Sequence, residues 1–235
     1  MHEFSEAFRL AFELVWTGNA DLLEIIGLSL FVSLTAMVFA CLIGFGLGAG
    51  LAVARFPGRS GVLVALNSLM GLPPVVVGLL VYLQLSRSGP FGWLGLLYTP
   101  TAMIIAQTIL ITPIIAALSR QVLEDLNEEY AEQFRSLSVP GHAAMGALMW
   151  DARYSLLTVA LAGFGRAVAE VGAVIIVGGN IDHLTRVMTS AIALETSKGD
   201  LPLALALGIV LLVIALGVNA LVMMFRTTER RSAYA

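Results

Sequence analysis

Apolar residues fall in five long runs along this chain, at 22–54, 62–85, 100–118, 154–178 and 201–225. A helix needs about 20 mostly apolar residues to cross a hydrocarbon core, so each run predicts a membrane-spanning helix. The first exceeds that minimum and predicts a helix that tilts or projects beyond the bilayer. Ahead of it, Phe4, Phe8, Ala11, Phe12 and Val15 recur at helical spacing within residues 1–19. That spacing predicts an amphipathic helix lying on the bilayer or against the protein. The expected fold is all-α: a polytopic membrane protein with five transmembrane helices plus an N-terminal amphipathic helix, forming one domain over residues 1–235.

The runs are interrupted at particular places. Gly44, Gly46, Gly48 and Gly50 make two overlapping small-xxx-small pairs in the first, which let helix backbones approach closely. They serve either packing within the chain or a seam between copies. The second run holds Gly71-Leu72-Pro73-Pro74; Pro73 and Pro74 each lack a backbone donor and break the helical ladder. Broken backbone at membrane depth is tolerated where it is buried in protein or lines a cavity, so a gate and a plain kink are both open. Pro113 predicts a further kink. The fourth run carries Arg166 and Glu170, four apart on one helical face. They form either an ion pair that fixes packing or part of a route through the membrane, continued by Gly178, Gly179 and Asn180.

A polar stretch at 119–153 separates the third and fourth runs. It begins acidic (Glu124, Asp125, Glu128, Glu129, Glu132) and turns compact and mixed in RSLSVPGHAAMGALMW. About thirty-five residues exceed what a simple connection needs, so it reads as a binding loop. Arg55, Arg59, Arg120, Arg135, Arg153, Arg226, Arg230 and Arg231 collect on its side of the membrane, eight in all; Arg9, Arg87, Arg186 and Lys198, four, collect on the other. The positive-inside rule then puts this loop and the C-terminus in the cytoplasm and the N-terminus outside.

Composition narrows the function. The chain is 58% hydrophobic and 12% charged, against about 25% charged in soluble domains. A net charge of −3 gives no reason to expect a nucleic-acid partner. Cys41 is the single cysteine, and His2, His142 and His183 show no ligand spacing, so no metal site is expected. The one lysine, Lys198, follows Ser197, whereas a phosphate-binding P-loop needs glycine before lysine. The acidic start of the chain differs from the basic start of a secretory signal. Residues 226–235 after the last run leave no expected room for a soluble regulatory domain. A gradient-driven secondary transporter or channel for a small anion remains the alternative to a chain energised by a partner.

The polar loop resembles the cytoplasmic signature loop of ABC-importer permeases: Glu-Ala-Ala, three residues, Gly, nine residues, Ile-x-Leu-Pro. Glu132, Gln133 and Phe134 take the first three positions, Ser138 the glycine, and Leu148-x-Trp150-Asp151 the end. Spacing and Glu132 match; the alanines, glycine and proline do not, and Pro140-Gly141 is expected to supply the turn. GLPPVVVGLLVYLQLSRSGPFGWLG resembles the second-span region of molybdate and tungstate permeases, and GFGRAVAEVGAVIIVGGNI with TRVMTSAIALETSKGDLPLALALGI resembles the tungstate branch. The resemblance implies a type I, molybdate-permease-like fold in the cell membrane, with no catalysis and no cofactor on this chain. It implies a homodimer in lipid, an ATP-binding subunit carrying ATP and Mg under each copy, and an extracytoplasmic oxyanion-binding protein. The substrate implied is tungstate or molybdate. Glu132, Ser138, Pro140, Gly141, His142, Ala143 and Ala144 are the expected ATPase-coupling residues. Pro73, Pro74, Arg166, Glu170, Gly178, Gly179 and Asn180 are the expected pathway or gate residues.

Overall fold

A computed structural model describes residues 2–232, with the side chains of 1–5, 7 and 225–235 outside the description. The expected role of Phe4 therefore lies outside the described side chains. Among the described residues the chain forms eleven α-helices and a 3-10 turn, and no strand. In order they are α1 (His2–Thr17), α2 (Ala20–Val53), α3 (Arg59–Met70), α4 (Pro74–Leu85), α5 (Pro100–Glu129), α6 (Ala131–Ser136), α7 (Gly141–Asp151), α8 (Arg153–Val168), α9 (Gly172–Gly178), α10 (Met188–Lys198) and α11 (Leu201–Ser232); the 3-10 turn is Gly92–Leu94. Three helices are long and apolar enough to cross a membrane, or five if two bent pairs each count as one span.

One pair carries the break expected at Pro73 and Pro74; the break in the other, at the fourth run, was not anticipated. At the second run the chain stops at Met70 and restarts with Pro73 as N-cap and Pro74 in the first turn of α4. Proline is at home in that position because its missing donor would have had no partner there. At the fourth run α8 ends at Val168 and α9 starts at Gly172, with a bend of 59°. Pro113 does not interrupt α5, which continues as one helix to Glu129.

The expected long loop is also corrected. Residues 119–153 are almost wholly helical, divided among the end of α5, α6 and α7. Its acidic residues are exposed or half-buried, while Ser119, Leu123 and Leu148 are fully buried.

Two compact units emerge from the packing. Unit one comprises 1–36, 73–107 and 165–217; unit two comprises 37–72, 108–164 and 218–235. The core of unit one is built mostly from small and β-branched residues around Met103 of α5: Val77 and Val81 of α4, Ala102 and Ala106 of α5, and Ala173, Val174 and Val177 of α9. Asn19 caps α2, its Oδ1 accepting from the amides of Asp21 at 3.0 Å and Leu22 at 3.2 Å. In α1, Phe8, Phe12 and Trp16 stand exposed while Ala11 is fully buried. An exposed aromatic edge suits the membrane interface.

Unit two packs Ala49 and Ala52 of α2, Leu123 of α5, Leu148 of α7, Ala152, and Leu156 of α8 into one cluster. Here Gly44 and Gly48 face α5, where added Cβ atoms would collide with Ile115, Ala116 and Ser119; Gly46 and Gly50 would meet nothing within 4 Å. The first pair therefore serves packing within the chain. Arg59 closes the C-terminal end of α2, donating to the Leu51 carbonyl from Nε at 3.1 Å and Nη2 at 3.0 Å. The same Nη2 reaches Glu124 Oε1 at 2.5 Å, and Arg120 pairs with the other Glu124 oxygen.

Candidate functional site: a helical corner and a broken span

The first candidate region is the corner between α6 and α7. Ser138 has φ 51°, in the left-handed region. The Val139 amide donates to the Phe134 carbonyl at 2.9 Å and the Ser138 amide to that of Arg135 at 3.2 Å. This is the Schellman ending, in which the left-handed residue is usually glycine. The turn expected at Pro140-Gly141 is thus made at Ser138, the position where the permease signature has glycine. Pro140 instead precedes α7 as its N-cap, and Gly141 is the first helical residue, with Val53 3.8 Å from where its Cβ would be.

Burial sorts the remaining coupling candidates. Glu132 on α6 is exposed, as are His142 and Ala143 at the start of α7, whereas Ala144 is buried within unit two. Ala143, Gly146, Ala147 and Trp150 share an exposed face of α7, with Trp150 73% exposed. Behind it, Tyr130 donates to Asp151 Oδ2 at 2.8 Å, and this bond to a carboxylate raises the Tyr130 pKa. Ser138→Gly is expected to raise the melting temperature of the purified protein by a few degrees, because serine in this conformation costs about 1 kcal/mol. Ser138→Val is expected to lower it; equal melting temperatures for all three would remove the turn from the argument.

The second region is the α8–α9 break. Arg166 Nη1 meets Glu170 Oε2 at 2.6 Å. Glu170 lies beyond the end of α8, so the pair does not share a regular helical face as expected. The arginine side chain is 40% exposed and that of the glutamate 4%. Glu170 Oε1 also accepts from the Ala173 amide at 3.3 Å, at the start of α9. Carbonyls at the break also accept from side chains elsewhere in unit one. Gln107 Nε2 donates to Ala167 O at 3.2 Å, and Thr189 Oγ1 donates to Glu170 O at 2.7 Å. The Ala167 carbonyl accepts the Glu170 amide at 3.2 Å as well, so polar partners satisfy the backbone at the break, as irregular backbone in a membrane protein requires. Pro73 and Pro74 begin the α4 helix against which α9 packs: an added Cβ on Gly78 would come 2.8 Å from Ala173 Cα, and one on Gly172 2.8 Å from Val75 Cγ2.

Gly178, Gly179 and Asn180 end α9 in a packed turn. A Cβ on Gly178 would press on Met103 Sδ at 2.9 Å; one on Gly179, at φ 72°, would press on the Tyr98 ring at 2.8 Å. Asn180 is left-handed too, at φ 51°. Its amide donates to Ser190 O at 3.3 Å and its Oδ1 accepts from Ser190 Oγ at 2.8 Å. Of the three, Asn180 is tied to α10, an element not anticipated from the sequence, while Gly178 and Gly179 pack against Met103 and Tyr98.

The sequence reading also missed the charges around α10. Arg186 pairs with Asp182 at 2.8 Å and approaches the buried Glu195 at 3.9 Å, which Lys198 reaches at 2.9 Å. His183 meets Glu24 at 2.9 Å, and that hydrogen bond, with the charges of Glu24, Asp182 and Asp21, raises its pKa above 6.5. A raised folded value means stability that is complete below about pH 6.5 and lost as pH rises through the folded value. His183→Gln is expected to melt slightly below the native chain at about pH 6, with the two converging at about pH 9. A difference independent of pH would refute the pairing. Among the described residues no group of three or more His, Cys, Asp or Glu could hold a metal ion.

No family model matches the chain. Individual relatives do. The tungstate uptake system permease protein of Peptoclostridium acidaminophilum is 40% identical over 222 residues, covering 94% of this chain and 97% of that protein. A probable anion ABC transporter permease protein of Haloferax volcanii is 40% identical over 212 residues, covering 87% and 90%. The tungstate uptake system permease protein of Campylobacter jejuni is 34% identical over 214 residues, covering 91% and 90%. Identity at that level over nearly whole lengths agrees with the all-helical, membrane-spanning architecture. The chain is a permease subunit rather than an enzyme, and it belongs to the family of ABC-transporter anion permeases that includes the tungstate uptake permeases.

Proposed function

We propose that the chain forms the translocation pathway of an ATP-driven importer of tungstate or molybdate. Two copies would assemble in the cytoplasmic membrane, each above an ATPase subunit that binds ATP and Mg, with an external oxyanion-binding protein delivering the substrate. The observation that carries this reading is the α6–α7 corner. Its left-handed Ser138 falls at the glycine position of the permease signature loop, counted from Glu132. The arginine bias along the sequence supports a cytoplasmic position for that corner, with the N-terminus outside and the C-terminus inside.

In this reading the exposed start and outer face of α7, from His142 and Ala143 to Trp150, seat in a groove of the ATPase. Closure of the two ATPase subunits on ATP draws the two corners together, the spans rotate as bodies, and the route opens outward. Hydrolysis reverses the motion and releases the anion inward. Arg166 supplies positive charge on the route, while Gly178, Gly179 and Asn180 shape its wall from behind. The names of the relatives favour tungstate. The test is uptake of tungstate, molybdate and sulfate into vesicles containing the permease, its ATPase and the binding protein. ATP-dependent tungstate uptake is expected, competed by molybdate. Uptake driven by an ion gradient without ATP would instead establish a secondary transporter.

Ala147→Trp is expected to abolish capture of the ATPase while leaving the melting temperature of the permease unchanged, since Ala147 is exposed. Undiminished capture would place the docking surface elsewhere.

A further inference from the structure

Beside the α8–α9 break, within unit one, lies a small cavity of about 10 Å³. Its polar lining comes from Ser29, Ser33, Gln107, Glu170 and Thr189, and valines such as Val32 complete it. A space of about 10–15 Å³ for a water-sized centre holds one water molecule. A tetrahedral oxyanion is far too large, so this is no station on a substrate route.

Most of the polar lining is already engaged. Ser29 Oγ donates to Ile25 O at 2.7 Å and accepts from the Met188 amide at 2.7 Å. Thr189 spends its proton on the Glu170 carbonyl, and Gln107 Nε2 is spent on Ala167 O. Gln107 is 3% exposed, and its other polar atom, Oε1, is buried without a hydrogen-bond partner. A buried acceptor without a donor is costly, and the nearby Glu170 carboxylate is a further acceptor. None of these three spent donors is left for Gln107 Oε1, and the pocket has room for one small donor with two protons.

We infer that this cavity holds one water molecule, which donates to Gln107 Oε1 and completes the hydrogen bonding of the α8–α9 break. A small cation would also suit oxygen ligands. The water is favoured because Arg166 already neutralises Glu170 at 2.6 Å, so an added cation would face that guanidinium. The site belongs to the fold of unit one and stands whichever anion the protein carries.

The test begins with the native permease in lipid nanodiscs. Brief X-ray radiolysis in ¹⁸O-water labels side chains next to bound water even when they are buried. Val32 lines the cavity and is 1% exposed; Val174 and Val177 are 1% and 0% exposed and do not line it. Val32 is expected to label several-fold faster than either control, and equal rates would overturn the inference. A second measurement asks what filling the cavity does. Ser33→Val is expected to lower the melting temperature by about 3–8 °C, because it displaces the water and strands Gln107 Oε1. In a Gln107→Leu background, where no stranded acceptor remains, the same filling is expected to raise it. A rise caused by Ser33→Val alone would show a dry cavity. A melting temperature that climbs with sodium chloride but not with choline chloride would give the site to a cation. Either result would refute the water.

Discussion

Gly48→Val is expected to lower the melting temperature of the permease by about 5–10 °C and cut the yield of folded protein sharply. The cause is local to unit two. A Cβ at this position would overlap Ser119 Oγ, lie 2.9 Å from the Ala116 carbonyl oxygen and 3.0 Å from the Arg120 amide nitrogen. Two of those three atoms belong to the α5 backbone and cannot turn away as a side-chain end can. The helices must then separate, and Ser119, whose hydroxyl bridges to the Gly44 carbonyl at 3.5 Å, loses that contact. Overpacking of this kind costs about 1–3 kcal/mol, and more where backbone must move. The internal controls are Gly46→Val and Gly50→Val, which meet nothing within 4 Å and are expected to melt close to the native chain. If all three variants lost equal stability, valine in α2 would be at fault rather than the α2–α5 contact.

The same glycines show what the sequence could and could not reveal. The spacing of Gly44, Gly46, Gly48 and Gly50 advertises close approach, but not which pair is used or against what. That depends on the rotation of α2, and a helix apolar on every side gives no directional signal. Long apolar runs made α2, α5 and α11 legible, because length and hydropathy are sufficient signals for a span. The break before α4 was legible because Pro73 and Pro74 mark it chemically. No proline or charge run marks the break after α8. Gln107, 60 positions away from Ala167, and Thr189, 19 positions away from Glu170, donate to carbonyls at that break. Tertiary partners of that kind have no local signature.

The polar stretch at 119–153 misled for a different reason. Its acidic residues suggested a loop, yet glutamate, leucine and alanine are good helix formers, and Leu123 and Leu148 at helical positions reach the core of unit two. Ser138 was found by spacing alone, although serine gives no sign of a left-handed turn; the neighbouring Pro140-Gly141 offered a more conspicuous and incorrect one. Arg59 and Arg120 were counted for orientation, but the bonds of Arg59 to the Leu51 carbonyl and of both arginines to Glu124 require three helices to be in place first.

Arg166→Gln is expected to reduce ATP-dependent oxyanion uptake by about tenfold or more, with assembled complex nearly unchanged. Glu170→Ala is expected to lose both together. The asymmetry comes from their surroundings. Glu170 is 4% exposed in its side chain, binds the Ala173 amide through Oε1 and holds Arg166 through Oε2. Removing it takes away a buried capping group and leaves the start of α9 unsatisfied, so the break loses its geometry. Arg166 is 40% exposed, and glutamine in its place can still donate to the carboxylate while carrying no charge. What Arg166→Gln removes is positive potential, which a dianion leaving water needs in compensation. In the proposed pathway Glu170 would temper the arginine, so that the anion binds weakly enough to leave; Glu170→Gln is expected to keep the break and slow release. The measurement is uptake into reconstituted vesicles divided by the amount of assembled complex. Should Arg166→Gln lose complex and uptake in equal proportion, the arginine is a packing residue and the route runs elsewhere. Should uptake fall alone, the exposed half of the guanidinium faces the ion, because the partner that holds its other half is still in place.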